Sequence, residues 1–185
     1  MAKEALTRDD WLAEALEVLS SEGVGGVRVL SLAKSLGVTR GSFHWHFKNR
    51  EEFLKALLEY WRLEMTETVI EHIDRIEVKG QPRERIREMA HFVVRTGRTH
   101  YDPAVRAWAL ADPMARSVVQ SVDERRVKYV AGLFEQAGFS PEEAIARGSL
   151  LAVYLMGESM ILQGHPLEEK LELLDRQLAL IFQTG

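Results

Sequence analysis

The sequence predicts an all-α protein in which a small three-helix head precedes a larger helical bundle. Apolar residues recur every three or four positions along most of the chain, and no segment alternates as a strand does. Prolines mark several predicted helix starts, because a missing N–H costs little in the first turn. These prolines are Pro103, Pro113, Pro141 and Pro166. The 185 residues suffice for one or two domains with a buried core.

The first helix is predicted to begin after Thr7, whose hydroxyl can cap it. Asp10, three places on, can complete a capping box. Gly23 and the glycine-rich loop VGGV are expected to end the helix. The apolar stripe between these ends consists of Trp11, Leu12, Ala15, Leu16 and Leu19.

Two short helices joined by a turn are predicted next, at about residues 29–48. Ala33 is small enough for the helices to cross closely, Gly37 permits a left-handed turn, and Val38 fills the corner. Thr39 can cap the second of the two helices. This arrangement matches a helix-turn-helix. The residues expected to be buried on its first helix are Leu32, Ala33 and Leu36.

The second helix of this motif has two different faces when its residues are placed at about 100° intervals. Phe43 and Phe47 point inward together, whereas Gly41 and Trp45 point outward. The outward side therefore has one bare position and one large ring among hydrogen-bonding groups. Such a face suits a helix that enters the DNA major groove.

The charge of the chain is unevenly distributed. The net charge is −4, yet the stretch from Gly23 to Arg50 contains no Asp or Glu and has five Lys or Arg residues, so the rest of the chain carries −9. A local cationic face on an acidic body indicates an anion-binding surface. A solvated surface patch is the alternative interpretation of the charge alone.

The residues predicted to contact DNA fall into two groups. Gly41 lets the backbone approach the bases closely. The side chains placed to read the groove are those of Arg40, Ser42, His44 and Trp45. The residues assigned to phosphates are Arg28, Thr39, Lys48 and Arg50, and Lys34 completes the set.

The run LAKSLGVTRGSFHWHFKNREEFLKALL resembles the N-terminal domain of the TetR-type (TetR/AcrR) transcriptional regulators, over roughly residues 6–66. The resemblance implies an all-helical homodimer whose heads bind a double-stranded, palindromic DNA operator. It also implies that residues 67–185 form a helical domain for effector binding and dimerisation. Binding of a small-molecule effector typically releases the DNA, so most such regulators are repressors. The chain departs from the family pattern at Val27 or Arg28, at Leu30 and at His44.

The helix after the head is predicted to start at a second capping box, formed by Asn49 and Glu52, and to run to about Val78. Gly80 and Pro82 follow it. Its apolar side consists of Phe53, Leu57, Trp61 and Met65. Further helices are predicted at about residues 82–98, 103–111, 114–136, 141–163 and 167–183. The phrases YDPAVRAWALADP and VDERRVKYVAGLFEQAGFSPEEA resemble a C-terminal pattern in some members of the same family.

The last two helices are predicted to form a homodimer interface. The final helix has leucines at heptad spacing, and the helix before it has small residues along one side. Two such helices from each subunit would make a four-helix interface. Packing within one chain is the alternative. The candidate residues are Gly148, Ala152, Ser159, Leu171, Leu174, Leu178 and Ile181, with Leu167 at the start of the heptad.

An effector pocket is expected among the middle helices. Ordinary core packing is the alternative for each apolar candidate. The candidates are Met89, Phe92, Tyr101, Trp108, Tyr129, Phe134 and Met156, with His91, Arg95 and Arg106 as possible polar anchors.

Several other classes of protein are disfavoured. The chain has no cysteine, which excludes disulfides and thiolate chemistry. No apolar run approaches the length of a membrane span and the N-terminus lacks an apolar signal core, so we expect a cytoplasmic protein with no membrane partner. No phosphate loop or G-x-S-x-G motif is present, so we expect neither a cofactor nor catalytic residues.

Two histidine motifs leave one enzymatic alternative open. His44 and His46 are two places apart on a helix and point in different directions, so no metal site is expected there. Glu88-x-x-His91 matches half of a di-iron carboxylate motif, but no second copy exists. The alternatives are therefore a di-iron carboxylate-type helical-bundle enzyme and a helical interaction protein that has lost DNA binding.

Overall fold

The computed structural model describes residues 6–76 and 82–183, and every regular element in these ranges is helical. The predicted all-α fold is confirmed. The first elements are α1 (Arg8–Glu22), α2 (Val29–Ser35), α3 (Arg40–His46), α4 (Arg50–Arg62), the π-helical turn Leu63–Glu67 and α5 (Thr68–Arg75). The remaining elements are α6 (Pro82–Thr96), α7 (Asp102–Ala111), α8 (Pro113–Gln136), α9 (Pro141–Ile161) and α10 (Leu167–Ile181).

The described residues fall into two compact units. The first contains the residues up to Leu63 together with Tyr101–Val119, and the second contains Glu64–His100 and the residues from Gln120 onward. The first unit thus holds α1 to α4 and α7, and the second holds α5, α6, α9 and α10. Helix α8 begins in the first unit and ends in the second. The functional domains expected at 6–66 and 67–185 remain a prediction.

Helix α1 has the ends and the buried face that its sequence predicts. Thr7 and Asp10 form both bonds of a capping box, and Gly23 ends the helix with a φ of 70°. That φ lies in the left-handed region, where glycine has no side chain to clash. All five residues of the predicted apolar stripe are buried.

Helix α3 follows a tight turn after α2, and an aromatic cluster packs against its buried face. Gly37 has a φ of 69°, and Val38 donates its N–H to the carbonyl of Ala33 at 2.9 Å. Trp11 of α1 packs edge-on against Phe43 of α3, with their ring centroids 5.5 Å apart. Phe53 of α4 packs against the same ring at 5.2 Å. These contacts hold α3 between α1 and α4.

The cap of α4 differs from the predicted capping box in one bond. Asn49 Oδ1 accepts from the N–H of Glu52 at 2.9 Å, as predicted. The Glu52 carboxylate accepts from the N–H of Lys48 at 3.1 Å, and not from that of Asn49. The side chain of Glu52 therefore binds the N–H of the residue before Asn49, one position earlier than predicted.

The prediction of one continuous helix to Val78 is wrong. Helix α4 ends at Arg62, and the π-helical turn Leu63–Glu67 separates it from α5. A π turn joins residues five apart and so breaks the regular ladder of four-residue bonds. Met65, expected on the same apolar side as Trp61, is only partly buried. Residues 77–81 lie outside the described residues.

Arg98 and Arg126 both bind oxygen atoms in the middle of the π turn. Arg98 Nη1 donates to the carbonyl of Glu64 at 2.6 Å. Arg126 Nε donates to Thr66 Oγ1 at 2.9 Å, and Arg126 Nη2 donates to the carbonyl of Met65 at 3.3 Å. These side chains supply donors where the helix's own ladder is interrupted.

The second unit has one hydrophobic core to which α5, α6, α8, α9 and α10 all contribute. Gly148 of α9 lies at a close contact with α8. A Cβ atom at Gly148 would lie 2.9 Å from the backbone nitrogen of Ala131. Glycine is therefore required there by the distance between two backbones. The buried members of the core include Phe134, Leu151 and Leu174.

Helix α9 is long and apolar enough to cross a membrane, judged by length and composition alone. The sequence analysis expected no segment of that kind. Its most apolar window has a mean hydropathy of 1.2, and 33% of that window is buried. One such helix is weak evidence, because a helix that buries a face in a protein core passes the same test. Residues Gly148, Leu151 and Leu155 of α9 are indeed buried in the second unit.

Candidate nucleic-acid interface

Helix α3 presents the bare, aromatic outer face that its sequence predicts. Trp45 is 89% exposed, whereas Phe43 and Phe47 are each 1% exposed. Gly41 and His44 are exposed and Ser42 is half-buried. A Cβ atom at Gly41 would meet only Thr39 Oγ1, at 3.5 Å. Packing within the chain therefore does not require a glycine at this position.

The cations of the predicted interface are all exposed, and two of them also hold a loop. Arg28 Nε donates to the carbonyl of Gly25 at 3.0 Å, and Arg50 Nη2 donates to that of Val24 at 3.3 Å. A guanidinium has five N–H donors, so one such bond leaves further donors for another acceptor. The exposed cations are Arg28, Lys34, Arg40, Lys48 and Arg50.

One predicted detail at the helix starts is corrected. Thr39 occupies the N-cap position of α3, but its side chain makes no capping hydrogen bond. At the start of α4, the N–H of Lys48 is bonded to Glu52, and that of Glu52 to Asn49. These two N–H groups are therefore already bonded within the chain. The side chains of Thr39 and Lys48 remain exposed.

Leu30 is an exposed residue of the motif that the candidate set did not include. It is 66% exposed on α2, whereas Leu32 and Ala33 on the same helix are buried. Leu30 and Leu32 are two residues apart and so point in different directions on a helix. This spacing could have predicted that Leu30 lies on the outer face.

A cavity lies within the second unit, among the π turn, α5, α6, α8 and α9. It encloses ≈ 480 Å³ of empty space, part of it open to solvent, and its lining is mainly apolar. Of the predicted pocket residues, Met89, Tyr129 and Met156 line it. Sequence reasoning missed its remaining polar lining residues, which are Thr66, Thr99 and Arg126.

The other predicted pocket residues lie elsewhere. Tyr101, Arg106 and Trp108 belong to the first unit. In the second unit, Phe92 stacks on His72 with ring centroids 4.0 Å apart. The remaining residues outside the lining are Arg95, which is exposed, Phe134, which is buried in the core, and His91, which bonds Asp175.

The predicted dimer residues lie largely inside the single chain. Gly148, Ala152, Leu174 and Leu178 are buried, and Gly148 packs against Ala131 of α8. The heptad leucines face this core because a stripe at that spacing buries equally well within one chain. Leu171 and Ile181 pack partly buried against the same core, Ser159 donates to the carbonyl of Thr99 at 3.3 Å, and Leu167 is exposed.

Different apolar residues of α9 and α10 are exposed. On α9, Leu150 and Val153 are each 62% exposed, and Met160 and Ile161 continue the stripe. On α10, Leu173 and Leu180 are exposed at a spacing of seven residues, which places them on one side of the helix. We refer to these six residues as the apolar stripes of α9 and α10.

The described residues contain no group of three or more His, Cys, Asp or Glu side chains that could hold a metal ion. His91, the histidine of the half motif for di-iron binding, instead lies with its Nε2 2.7 Å from Asp175 Oδ1. Arg87 binds the same carboxylate through two bonds of 2.8 Å. The di-iron alternative is therefore not favoured.

Comparison with known proteins agrees with this geometry. Residues 12–57 match the family described as bacterial regulatory proteins, tetR family. The HTH-type transcriptional regulator AcrR of Shigella flexneri is 31% identical over 88 residues, covering 48% of this chain and 40% of that protein. The tetracycline repressor protein class C of Escherichia coli is 41% identical over 54 residues, covering 29% and 25%. The chain thus spans less than half the length of these curated relatives.

Solved structures share the fold over nearly the whole chain. A transcriptional regulator from Rhodococcus sp. Rha1 has a TM-score of 0.77 at 20% identity, covering 96% of this chain and 97% of that one. A regulator from Saccharomonospora viridis, solved in complex with choline, has a TM-score of 0.72 at 16% identity, covering 93% and 95%. At these identities the likeness concerns the fold alone.

Proposed function

Since this chain carries the N-terminal DNA-binding domain of the tetR family of bacterial regulatory proteins, we propose that it is a sequence-specific transcriptional regulator. The observation that carries the proposal is the outer face of α3. That face combines Trp45, the bare position Gly41 and neighbouring cations in a stretch that contains no carboxylate. Such a surface can lie in a major groove while the cations bind phosphates on both sides. The proposed role is not enzymatic, and it is exercised on DNA in the cytoplasm.

The regulator acts as a homodimer on a palindromic operator. Two heads related by two-fold symmetry would enter successive major grooves about 34 Å apart. The apolar stripes of α9 and α10 support this proposal, because an exposed apolar surface of this kind marks a contact with another protein. A second copy of the same chain would cover both stripes with an identical surface.

The cavity of the second unit supports the proposal that the regulator binds a small-molecule effector. Ligand sites are mostly apolar clefts with a few polar groups, and this cavity has that composition. Release of the DNA by the effector, and thus repression in its absence, is the mode of action we propose.

The test is a salt titration of binding to duplex DNA, with bound sequences first selected from a random pool. Counterion release predicts a steep linear fall of log affinity with log salt concentration. Lys48→Ala should weaken binding to all sequences and flatten the slope by about one. Arg40→Ala should weaken the selected sequence more than random DNA. Arg75, an exposed cation of α5 paired with Glu71, provides the control Arg75→Ala, which should change neither.

A helical interaction protein without DNA binding is the second candidate. Affinity that is absent, or that does not change with salt, would favour it and reject the regulator. Equal losses on selected and random DNA would remove Arg40 from the base-reading group.

A further inference from the structure

The cavity of the second unit offers a ligand mostly apolar contacts. Nine of the described residues that line it are apolar, and three of those are the methionines Met65, Met89 and Met156. Methionine is flexible and polarizable, so it adapts to the shape of an apolar guest. A charged ligand would lose the free energy of its hydration in such surroundings. The lining therefore favours an uncharged ligand that is largely hydrocarbon.

Three of the four polar residues that line the cavity in the described chain are already bonded to other residues. Arg126 Nε donates to Thr66 Oγ1 at 2.9 Å, and Arg126 Nη2 donates to the carbonyl of Met65 at 3.3 Å. The hydroxyl of Tyr129 donates to Asp74 Oδ1 at 2.9 Å, and Asp74 does not line the cavity. We assign Arg126, Thr66 and Tyr129 to the framework of the cavity.

Thr99 is the fourth polar residue of this lining, and it is only 5% exposed. Its carbonyl accepts from Ser159 Oγ at 3.3 Å, but its hydroxyl makes no hydrogen bond to a residue that the structure describes. A buried hydroxyl without a partner loses the bonds that it makes to water in the unfolded chain. Because Thr99 lines the cavity, a polar atom of a molecule bound there can supply the partner.

The turn that carries Thr99 is held at both of its sides. Gly97 has a φ of 62°, and its carbonyl accepts from the N–H of His100 at 2.9 Å. Ser159 of α9 binds the carbonyl of Thr99 itself. These bonds fix the backbone around Thr99, so its hydroxyl can bind a ligand atom without a further cost for ordering the turn.

We propose that the cavity binds an uncharged, largely apolar molecule with one hydrogen-bonding oxygen, and that the hydroxyl of Thr99 anchors this oxygen. The inference rests on the proposed function, because it names the chemical class of the effector. A carbonyl oxygen accepts from the Thr99 hydroxyl, and an alcohol can either accept from it or donate to it.

Titration of the full chain with probes of similar size tests the charge of the ligand. The probes are acetophenone, which is an uncharged ketone, benzoate, which is an anion, and benzylammonium, which is a cation. Acetophenone should bind more tightly than either ion by about tenfold or more, because each ion loses its hydration in the cavity. An ion that binds as tightly as acetophenone, or no binding of acetophenone in the millimolar range, would overturn the proposal.

The methionine methyl groups report where the probe binds. In a chain labelled with ¹³C at these methyl groups, acetophenone should shift the NMR signals of Met65, Met89 and Met156, which line the cavity. Met114 and Met160 are not among the lining residues and serve as references. Shifts confined to the two references would place the binding elsewhere and reject the cavity.

Three variants locate the anchor, with ethylbenzene as a probe that lacks the oxygen. Thr99→Val keeps the size of the side chain but removes the hydroxyl, so acetophenone affinity should fall about fivefold while ethylbenzene affinity is retained or raised. Thr99→Ser should keep the acetophenone affinity close to that of wild type. Thr96→Val is the matched control, because the Thr96 hydroxyl donates to the carbonyl of Phe92 at 2.6 Å and Thr96 does not line the cavity.

A merely structural role of Thr99 would change the affinities of both probes alike. Equal losses for acetophenone and ethylbenzene in Thr99→Val, or the same selective loss in Thr96→Val, would therefore reject Thr99 as the anchor.

The DNA arm separates the two proposals. Probe binding is measured without DNA, and DNA binding is measured without a probe. A chain that binds acetophenone through Thr99 but binds no DNA overturns the regulator and leaves the ligand class standing. A chain that binds DNA but does not distinguish acetophenone from the two ions overturns the ligand class alone.

Discussion

Trp61 Nε1 donates a hydrogen bond to Asp102 Oδ1 at 3.1 Å, and both side chains are buried in the first unit. The bond joins α4 to the first residue of α7. Trp61→Phe keeps most of the ring but removes the donor, so the carboxylate loses a partner that water cannot replace. We expect a loss of about 1–3 kcal/mol in the free energy of unfolding, measured by urea denaturation. Trp45→Phe, on the exposed face of α3, should leave stability unchanged; a comparable loss there would contradict the explanation.

Two glycines of the second unit should respond to alanine in opposite directions. The new methyl group of Gly148→Ala would lie 2.9 Å from the backbone of Ala131, so we expect a loss of about 1–3 kcal/mol. A Cβ atom at Gly132 of α8 would meet nothing within 4 Å. Gly132→Ala should therefore stabilise the helix by about 0.5–1 kcal/mol. Thermal unfolding followed by circular dichroism measures both, and effects of equal sign would refute the packing argument.

The carboxylate of Asp175 should make stability depend on pH in the acid range. Hydrogen bonds from Arg87 and then His91 lower the pKa of Asp175 from 3.8 to about 2. Because the pKa is lower in the folded state, the stabilisation is complete above the unfolded pKa and is lost as the pH falls towards about 2. Urea denaturation should show wild type more stable than Asp175→Asn at neutral pH, with the difference vanishing between about pH 4 and pH 2.

The control for this pH dependence is Glu172→Gln on the same helix. Glu172 lies 3.9 Å from Arg176, and both side chains are largely exposed. Exposed pairs contribute little, so this variant should follow wild type throughout the acid range. A persistent difference between wild type and Asp175→Asn at pH 2 would contradict the assignment to Asp175.

A charge in the apolar stripes of α9 and α10 should separate the proposed dimer. Leu150→Glu or Val153→Glu would bury a carboxylate against an apolar partner surface, so we expect dimerisation to weaken by about 100-fold or more. Sedimentation equilibrium measures the association. Leu110→Glu is the control, because Leu110 is 82% exposed on α7 in the first unit. Unchanged dimers in all three variants would rule these stripes out as the interface.

Gly41→Ala should separate folding from DNA binding. The added methyl group has space, so helix propensity should stabilise the protein by about 0.5–1 kcal/mol. The same methyl group would keep the backbone of α3 away from the bases and weaken DNA binding, measured by fluorescence anisotropy. Gly132→Ala provides the control, with similar stabilisation and no change in DNA affinity. Full DNA affinity in Gly41→Ala would show that the backbone does not approach the bases there.

The head could be predicted closely because its determinants are local. Thr7 with Asp10, Gly23 and Gly37 act over a few residues, and the periodicity of α3 alone places Phe43 inside and Trp45 outside. Each of these effects depends on backbone conformation or on helical spacing. None depends on which distant segment packs against the helix.

The second unit could be predicted less well because its determinants are tertiary. The heptad spacing of Leu171, Leu174 and Leu178 indicates a buried stripe, but the spacing is the same whether the partner is the same chain or a second copy. The π turn has no local signal of the kind a proline gives. Arg126 lines the cavity because α8 passes beside that turn, which its own sequence does not reveal.

The two bonds from Arg28 and Arg50 to the glycine-rich loop have an evolutionary consequence. If the same guanidinium groups also touch the nucleic acid, natural selection acts on each of them for two reasons at once. Neither side chain can then drift to suit a new target without disturbing the loop. Trp45, by contrast, is exposed on its helix face and has no second, structural role. Target preference can therefore diverge at that position while the scaffold is inherited unchanged.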